Sequence, residues 1–302
     1  MSSEQSDAHR RRLRVAIGQL ESGSDDADAA SNLERHVEAV AGARKTGAEL
    51  IVFPELSLSG YHVQDPVAWS ERHLRSAVTT LSAAAGDATV IVGAPVAGGA
   101  FGGATNSALV VGRDGVIHRQ DKIYLPNYNR YDEGDRFEAG TSLDLVEVAG
   151  FRLGIIICED TWHPSLAYLA RLKGADVLVH PAASVEGAIG AGFSSADGWA
   201  TITRAEALCH AVYVIFANLA GSDEVATFWG RSTVFRPTGD VLVRAGDDPA
   251  LASGELDGRE LGEARRTLPM TDLEDIALAE ALLAEAKDFR ARQTTSIREG
   301  AS

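Results

Sequence analysis

The sequence predicts an α/β fold in which a mixed sheet, or two packed sheets, is covered by helices. Short apolar runs typical of strands alternate with helix-like segments in several places, and elsewhere two such runs flank a turn and form a hairpin. No linker rich in proline or serine divides the 302 residues, and 45% of them are hydrophobic. The chain is therefore long and apolar enough to bury a large core as a single domain.

The elements follow from the spacing of the apolar residues, which has a period of two in strands and of three to four in helices. The predicted strands are 13–20, 49–53, 89–94, 107–111, 116–119, 143–148, 151–157, 176–180, 212–217, 231–235, 241–244 and 252–256. The predicted helices are 27–46, 66–85, 164–173, 198–210 and 272–292. The expected domain spans residues 12–292 and includes the C-terminal helix. It lies between a disordered tail at 1–11 and a second tail at 293–302.

Charge and cysteine content argue against several classes of function. The net charge of -15 disfavours binding to nucleic acid or to an anionic membrane through bulk electrostatics. The two cysteines give no disulfide framework, and neither they nor the scattered histidines have the spacing of a metal site. No apolar run reaches the roughly 18 residues of a membrane span, and the polar N-terminus does not resemble a secretion signal. We expect a cytoplasmic protein without a metal or a cofactor.

The segment GIIICEDTW at 154–162 predicts a buried strand that ends at a polar turn. The carboxyl ends of strands are where open α/β sheets place ligand chemistry. Cys158 at this point is either a nucleophile, which needs a lowered thiol pKa and solvent access, or a small buried hydrophobe. Cys209 adjoins His210 in a predicted helix, where neighbouring side chains point about 100° apart. We interpret Cys209 as a core residue.

Two other predicted strands end in polar residues that could act together with Cys158. Glu55 follows ELIVF, and Lys122 comes soon after VIHRQ. If the three side chains meet, a thiolate attacks a carbonyl or nitrile carbon, and a carboxylate moves the proton from the thiol to the leaving nitrogen. The ammonium group stabilises the oxyanion and favours the thiolate. The spacing alone leaves open a solvated Glu55 and a surface Lys122.

Three segments resemble the signatures of the nitrilase, or carbon–nitrogen hydrolase, superfamily. They are FPELSLSGY at 53–61, DKIYLPNYNRYDEGDRF at 121–137 and IICEDTW at 156–162, in the order that the family has them. The likeness extends from VAIGQL at 15–20 to TVFRPTGDVLV at 233–243. In detail the motifs are similar to the glutamine-hydrolysing domain of glutamine-dependent NAD synthetase.

The resemblance implies a four-layer αββα sandwich, with two mixed sheets covered by helices, that assembles as a homodimer or a larger homo-oligomer. It implies Glu55 as the general base, Lys122 as the cation beside the oxyanion and Cys158 as the nucleophile. The reaction would pass through a thioester acyl-enzyme and need no cofactor. The backbone N–H of Glu159 would complete the oxyanion site.

Further residues match positions around the pocket of the family. Glu133 is either a second carboxylate that positions Lys122 or the substrate, or a solvated loop acid. Tyr61 and Tyr128 fit the pocket wall, either as packing or as recognition groups. Ser184 matches a serine that follows a strand in the synthetase domains.

The sequence departs from the synthetase in two ways, of which the second concerns the substrate. No Ser-Gly-Gly-x-Asp-Ser pyrophosphatase segment is present, so we expect no ATP-dependent synthetase half. After Ser184 no Arg or Lys occurs before Arg204, whereas the α-carboxylate of glutamine needs a cation or a helix N-terminus. Phe193 and Trp199 in the same stretch indicate a roomier, more apolar pocket.

The expected function is that of a stand-alone amidase, which hydrolyses a small carboxamide to an acid and ammonia. Within the same enzyme class the alternatives are a nitrilase, an N-carbamoyl amide hydrolase and a glutaminase that delivers ammonia to a separate synthetase. From another class, a catalytically silent scaffold stays open. The presence of all three polar residues argues against the scaffold.

Overall fold

The computed structural model describes residues 11–21, 23, 28–129, 131–187, 190, 192–223 and 225–299, with the backbone alone for 293–299. The chain divides into two compact units, one that ends at Leu268 and one that begins at Pro269. Most of the predicted tail at 1–11, and the last residues of the predicted tail at 293–302, lie outside the described residues. The single domain flanked by two tails stays a prediction.

The first unit contains two six-stranded sheets of mixed strand direction. The strands of the first sheet are β1 (Arg12–Gln19), β2 (Leu50–Val52), β3 (Thr89–Ala97), β4 (Ala104–Gly112), β5 (Gly115–Asp121) and β14 (Ala250–Asp257). Their order is β14-β1-β2-β3-β4-β5. The strands β1, β2 and β3 are parallel, and all other neighbours are antiparallel.

The second sheet has the same mixture of parallel and antiparallel strands. Its strands are β6 (Leu145–Val148), β7 (Phe151–Ile155), β8 (Val177–Ala182), β9 (Tyr213–Asn218), β12 (Thr233–Phe235) and β13 (Val241–Arg244). Their order is β13-β12-β9-β8-β7-β6, with β7, β8 and β9 parallel. A separate two-stranded ribbon consists of β10 (Ala220–Ser222) and β11 (Thr227–Trp229).

Helices cover the outer faces of both sheets. The helices of the first unit are α1 (Ala29–Lys45), α2 (Pro66–Trp69), α3 (Arg75–Ala85), α4 (Glu133–Arg136), α5 (Pro164–Leu172), α6 (Ser195–His210) and α7 (Gly258–Thr267), and α1, α3, α5 and α6 are the ones that pack on the outer faces. A π-helical turn, Ser70–Leu74, joins α2 to α3, and a 3₁₀ turn, Cys158–Trp162, precedes α5.

The cores show four layers. Apolar side chains of the two sheets share an inner core, to which Ile17 and Ile155 belong. A second core joins the first sheet to α1 and α3, and a third joins the second sheet to α5 and α6. Because both faces of the central strands are buried, those strands consist of nearly continuous apolar runs. The predicted αββα sandwich is confirmed.

One prediction about the core is wrong, because Cys209 is exposed. The buried side chains on the second half of α6 are Thr203, Glu206 and Ala207, which are spaced by three or four residues and face the second sheet. Cys209 follows Ala207 by two positions, and a helix turns about 100° per residue, so its side chain points away from that face.

The second unit consists of a 3₁₀ turn, Thr271–Leu273, and α8 (Ile276–Glu299). The helix starts later and ends later than the predicted helix at 272–292. Asp275 accounts for the start, because its carboxylate accepts the N–H of Leu278 at 3.0 Å and so caps the first turn. Within the described ranges, every helix is too short or too polar to cross a membrane.

Candidate active site

The structure brings Glu55, Lys122 and Cys158 together from the ends of three strands. Glu55 follows β2 and Lys122 follows β5 in the first sheet, while Cys158 follows β7 in the second. Lys122 Nζ lies 2.7 Å from Glu55 Oε1. The backbone N–H of Ala183 donates to Glu55 Oε2 at 3.0 Å, and Glu55 and Lys122 are the two charged groups that most affect the pKa of the Cys158 thiol. The site is therefore assembled across the interface between the two sheets.

Glu55 is held by hydrogen bonds on both of its carboxylate oxygens. Besides Lys122 and Ala183, the side-chain amide of Asn106 on β4 donates to Oε1 at 2.8 Å. The turn that carries Glu55 packs tightly against β3, where a Cβ at Gly93 would lie 2.2 Å from the backbone nitrogen of Leu56. With 1% of its surface exposed, Glu55 is a fixed, buried carboxylate rather than a solvated one.

Lys122 is fully buried between two carboxylates. Its ammonium lies 2.7 Å from Glu55 Oε1 and 2.7 Å from Glu133 Oε2. Burial alone would lower the pKa of Lys122, but Glu133 and Glu55 raise the pKa well above its ordinary value. Lys122 is thus a permanent cation, as a group that must neutralise an oxyanion requires.

Glu133 is a buried partner of Lys122 and not a solvated loop acid. It begins α4 within the long loop after β5, and none of its surface is exposed. The hydroxyl of Tyr61 donates to Glu133 Oε1 at 2.5 Å. Burial raises the pKa of Glu133, whereas Lys122 lowers it. Of the two interpretations of Glu133, the geometry supports the one in which it positions Lys122.

Cys158 adopts an unusual backbone conformation at the end of its strand. Its φ is +48°, in the left-handed region that costs a residue with a side chain about 1–3 kcal/mol. This bend turns the chain from the buried strand into the 3₁₀ turn, so that the half-buried sulfur lines a cavity. Strain of this kind concentrates at functional sites, where the surrounding structure maintains it.

The thiol of Cys158 is not predisposed to ionise. Burial and the neighbouring charge of Glu55 raise its pKa well above the ordinary value, although Lys122 acts in the opposite direction. The expectation that Lys122 favours a resting thiolate is therefore outweighed by desolvation and by a buried carboxylate. Cys158 therefore rests as a thiol, and the buried carboxylate of Glu55 is the neighbouring charge that acts most strongly on its pKa.

The cavity at Cys158 is small, and five of its eleven lining residues are aromatic. It comprises about 380 Å³ of space unoccupied by protein atoms, part of it open to solvent. The lining residues are Tyr61, Pro126, Tyr128, Tyr131, Glu133, Cys158, Glu159, Trp162, Ser184, Ser195 and Trp199. The side chains that the sequence placed around the pocket therefore line it, with three exceptions. Phe193 is not a lining residue, and Glu55 and Lys122 lie buried behind the cavity.

Two of the lining side chains have hydroxyl groups with defined partners. Tyr128, which is 42% exposed, donates from its hydroxyl to Glu159 Oε2 at 2.9 Å. Ser184 Oγ accepts the indole N–H groups of Trp199 at 3.0 Å and Trp229 at 3.1 Å. Since both lone pairs of this oxygen are used, the Ser184 hydroxyl is left to act as a donor.

Asp160 is a buried carboxylate whose role the sequence did not reveal. It accepts the backbone N–H of Tyr124 at 2.7 Å and of Ile123 at 3.1 Å, and so ties the loop after Lys122 to the 3₁₀ turn of Cys158. Burial raises the pKa of Asp160 to about 6, against the effect of these N–H groups. Its position beside Glu159 in a CED sequence gave no sign of a structural tie.

Other residues of the site were also missed. The one available signal for Asn106 was an amide directly before the predicted strand at 107–111, since a side-chain amide that becomes buried needs a hydrogen-bond partner. Nothing in the sequence marked the N–H of Ala183. The N–H of Glu159, which stands at the start of the 3₁₀ turn, stays a prediction for the oxyanion site. Across the described ranges, no three His, Cys, Asp or Glu side chains cluster as metal ligands would.

Comparison with known proteins identifies the family. The model of the carbon-nitrogen hydrolase family matches residues 14–266, most of the first unit. The chain belongs to the carbon-nitrogen hydrolase family. The family predicted from the three motifs is therefore confirmed.

Among relatives of this carbon-nitrogen hydrolase, omega-amidase NIT2 of Xenopus tropicalis is 29% identical over 251 residues, 79% of this chain and 87% of the relative. The glutamine-dependent NAD(+) synthetase of Rhodobacter capsulatus is 32% identical over 77% of this chain, which spans 41% of the synthetase. The crystal structure of a Helicobacter pylori G27 carbon-nitrogen hydrolase matches with a TM-score of 0.80 and 22% identity, over 91% of this chain and 99% of that one. An amidase from Nesterenkonia sp. AN1 matches with a TM-score of 0.71 and 22% identity, over 86% of this chain and 96% of the amidase.

Proposed function

We propose that this carbon-nitrogen hydrolase is a cysteine-dependent amidase that converts a small carboxamide into an acid and ammonia. The observation that carries the proposal is the buried arrangement of a Lys122 cation and a Glu55 carboxylate beside the thiol of Cys158. A cation, a base and a nucleophile in one cavity are the groups that acyl transfer from nitrogen requires. Similarity to omega-amidases supports an amide substrate.

The first half of the reaction forms a thioester. Glu55 takes the proton of the Cys158 thiol as the sulfur bonds to the amide carbon, and the carbonyl oxygen becomes an oxyanion beside Lys122. The backbone N–H of Glu159 is the second proposed donor to this oxyanion. When the carbonyl re-forms, the C–N bond breaks and Glu55 returns its proton to the leaving nitrogen, which departs as ammonia.

The second half of the reaction releases the acid. Water loses a proton to Glu55 and attacks the thioester carbon, again with the oxyanion beside Lys122. The C–S bond then breaks, the acid leaves, and the proton on Glu55 returns to the sulfur of Cys158. Glu133 and Tyr61 do not exchange protons in this scheme, because their part is to hold Lys122 in place.

The pocket wall supports a neutral or cationic amide over an anionic one. Glu159 contributes a carboxylate to the wall, and the aromatic rings of Tyr128, Tyr131 and Trp162 surround the opening. Among the lining residues that the structure describes, none is Arg or Lys. The donor hydroxyl of Ser184 suits a neutral acceptor such as a second carbonyl group. The cation that the carboxylate of glutamine would need is therefore missing among these residues, which leaves the N-terminus of α6, at Ser195 in the wall, as the group that such a carboxylate would have to use.

Ammonia release tests the proposal directly. Simple amides, ureido acids, nitriles and glutamine are each incubated with the protein. We expect ammonia to be released fastest from neutral carboxamides. Mass spectrometry of the quenched reaction should find an acyl group on Cys158, and Cys158→Ala should fold normally and release no ammonia. Turnover of nitriles or ureido acids alone would favour the nitrilase or carbamoyl hydrolase, and activity retained by Cys158→Ala would rule the mechanism out.

A matched amide series tests the role of Glu159. Three amides of one length, ending in an ammonium, a neutral or a carboxylate group, are compared by kcat/KM. We expect the anionic amide to be the poorest substrate, since Glu159 repels it, and Glu159→Gln to reduce the difference by roughly tenfold, the effect of about 1.4 kcal/mol. An anionic amide that is preferred by the unaltered protein would contradict this assignment.

We also propose that the enzyme works in the cytoplasm as a homodimer or a larger homo-oligomer. The family resemblance supports the assembly, and the two free cysteines are compatible with a reducing compartment. Light scattering after size-exclusion chromatography measures the assembly, and a monomer at micromolar concentration would contradict it.

A further inference from the structure

A buried histidine and a buried glutamate lie together behind the nucleophile. His180 belongs to β8 and none of its surface is exposed, while Glu206 on α6 is 6% exposed. His180 Nε2 is 2.8 Å from Glu206 Oε2. His180 Nε2 and both carboxylate oxygens of Glu206 have no well-aligned hydrogen bond among the described residues, so each group is the nearest polar neighbour that the other has. The reaction scheme uses neither residue.

The other side of the His180 ring contacts the chain before and after Cys158. Nδ1 lies 3.3 Å from the carbonyl oxygen of Ile156, two residues before the cysteine. It also lies 2.9 Å from Thr161 Oγ1, three residues after the cysteine. The ring therefore spans the residue with the positive φ and fixes both of its flanks.

The elements that carry the pair also lead to the rest of the site. The strand of His180 continues to Ala183, whose N–H holds Glu55 Oε2. The helix of Glu206 begins at the cavity, where Ser195 and Trp199 are lining residues. The pair thus connects three segments that meet near the sulfur of Cys158: the bend at Cys158 itself, the end of β8 and the start of α6.

We propose that His180 and Glu206 are a buried pair that positions Cys158 by stabilising its strained conformation. His180 Nδ1 holds the chain on both sides of Cys158, and Glu206 holds the opposite edge of the ring through Nε2. His180 and Glu206 touch neither the substrate nor the reacting atoms, and they are positioning residues. The proposal rests on the proposed function only in so far as Cys158 is the nucleophile.

Replacing both members of the pair separates positioning from stability. His180→Leu and Glu206→Leu each leave one buried polar partner alone and should lower Tm, whereas the double variant removes both polar groups and should regain most of the lost Tm. We expect the double variant still to have kcat reduced roughly 10- to 100-fold, because sub-ångström misplacement of a nucleophile has effects of that size. KM should change by less than about threefold, because the pocket wall is unaltered.

Alkylation of Cys158 gives a readout that does not depend on the substrate. In a Cys209→Ser background, iodoacetamide transfers its acetamide group to the sulfur as iodide leaves and the thiol proton passes to Glu55. The double variant should alkylate more slowly by the factor found for kcat. Asp176→Asn is the matched control, since Asp176 is a fully buried carboxylate paired with Arg265 at the other end of β8. It should lower Tm without changing the alkylation rate.

The outcomes separate this proposal from the proposed function. A double variant with normal kcat and normal alkylation would overturn the positioning role, as would an Asp176→Asn variant that slows alkylation equally. If the double variant does not fold, Glu206→Gln decides, because it keeps the shape but replaces the carboxyl group beside His180 by an amide and should slow alkylation by about three- to tenfold. An unaltered protein that turns over no amide refutes the proposed function, while the alkylation comparison still tests the pair.

Discussion

The two cysteines of this chain lie in opposite surroundings. Cys209 is an exposed residue in the last turn of a regular helix. Cys158 is half-buried at a strained bend, and burial raises the pKa of its thiol. The more accessible sulfur is therefore not the one that the structure equips for chemistry. What distinguishes Cys158 is a base, a cation and a fixed backbone conformation within one cavity.

This contrast gives Cys209 a use as an internal reference. Both thiols can be alkylated in one sample and quantified by peptide mass spectrometry. Any change at Glu55, Lys122 or their partners should alter the reaction of Cys158 and leave that of Cys209 unchanged. A change that slows both would report a general loss of structure instead.

The largest effect is expected from Lys122→Met, because it removes the cation between two buried carboxylates. Glu55 and Glu133 would then face each other without compensation, and breaking a buried pair in this way costs about 3–5 kcal/mol. Urea unfolding should show this loss of free energy, and amide turnover should fall below detection. The alkylation of Cys209 in the folded fraction should not change.

Lys173→Met is the matched control for this variant. Lys173 is half-exposed and pairs with Asp144 at the surface, 3.5 Å away. Surface pairs contribute about 0–1 kcal/mol, so the unfolding free energy and turnover should stay close to normal. Equal losses in the two lysine variants would mean that the buried position of Lys122 has no special importance.

The next largest effect is expected from Glu55→Gln, which keeps the shape of the side chain but removes the base. The amide oxygen can still accept from Lys122 and Asn106, so the fold should be retained. General acid–base catalysis contributes typically 10²–10⁴-fold, and we expect kcat to fall by roughly that factor. Cys158 should also alkylate more slowly while Cys209 does not. Unchanged alkylation of Cys158 would show that Glu55 is not the base.

The positions of Glu55 and Cys158 could be predicted because each follows a strand with a strong apolar pattern, whereas Lys122 follows the largely polar segment VIHRQ and was indicated by its motif. The end of a strand can be located from the nearby sequence, and the motifs indicate which polar residue stands there. The hydrogen bonds of Asn106 and of the Ala183 N–H could not be predicted, since they depend on how strands from two sheets come together. For the same reason His180 and Glu206 gave no signal, although each is polar within an apolar segment.

The error about Cys209 has a different origin. The residue is apolar by type and lies in an apolar stretch, which favoured the core. The buried face of α6 contains the polar residues Thr203 and Glu206. Composition alone therefore indicated the wrong buried face for this helix. The exposed fraction of a helix residue depends on the direction in which it points around the helix axis. A small error in the predicted position of the buried face therefore moves a residue from the core to the surface.

A smaller effect is expected from Asp160→Asn, through the pH dependence of stability. Burial raises the pKa of Asp160 to about 6 in the folded protein, above its ordinary value of 3.8. The folded state then binds the proton more tightly, so the stabilisation is present below about pH 4 and is lost as the pH rises through 6. Relative to Asp160→Asn, the unfolding free energy should fall on the order of 3 kcal/mol between pH 4 and pH 7. If the unfolding free energy of the unaltered protein and that of Asp160→Asn change with pH in the same way, this prediction is contradicted.

The smallest effect is expected from Tyr61→Phe, which removes one hydroxyl from the support of Lys122. Tyr61 donates to Glu133 Oε1 at 2.5 Å, and Glu133 keeps its contact with the ammonium when that bond is lost. A hydrogen bond to a charged group is worth about 1.5–3 kcal/mol, and we expect the unfolding free energy to fall by the lower part of that range. Because Tyr61 also lines the cavity, the activity measurement compares the change in kcat with the change in KM. A drop in kcat with unchanged KM indicates that the hydroxyl acts through Lys122, whereas a raised KM with unchanged kcat indicates direct contact with the substrate.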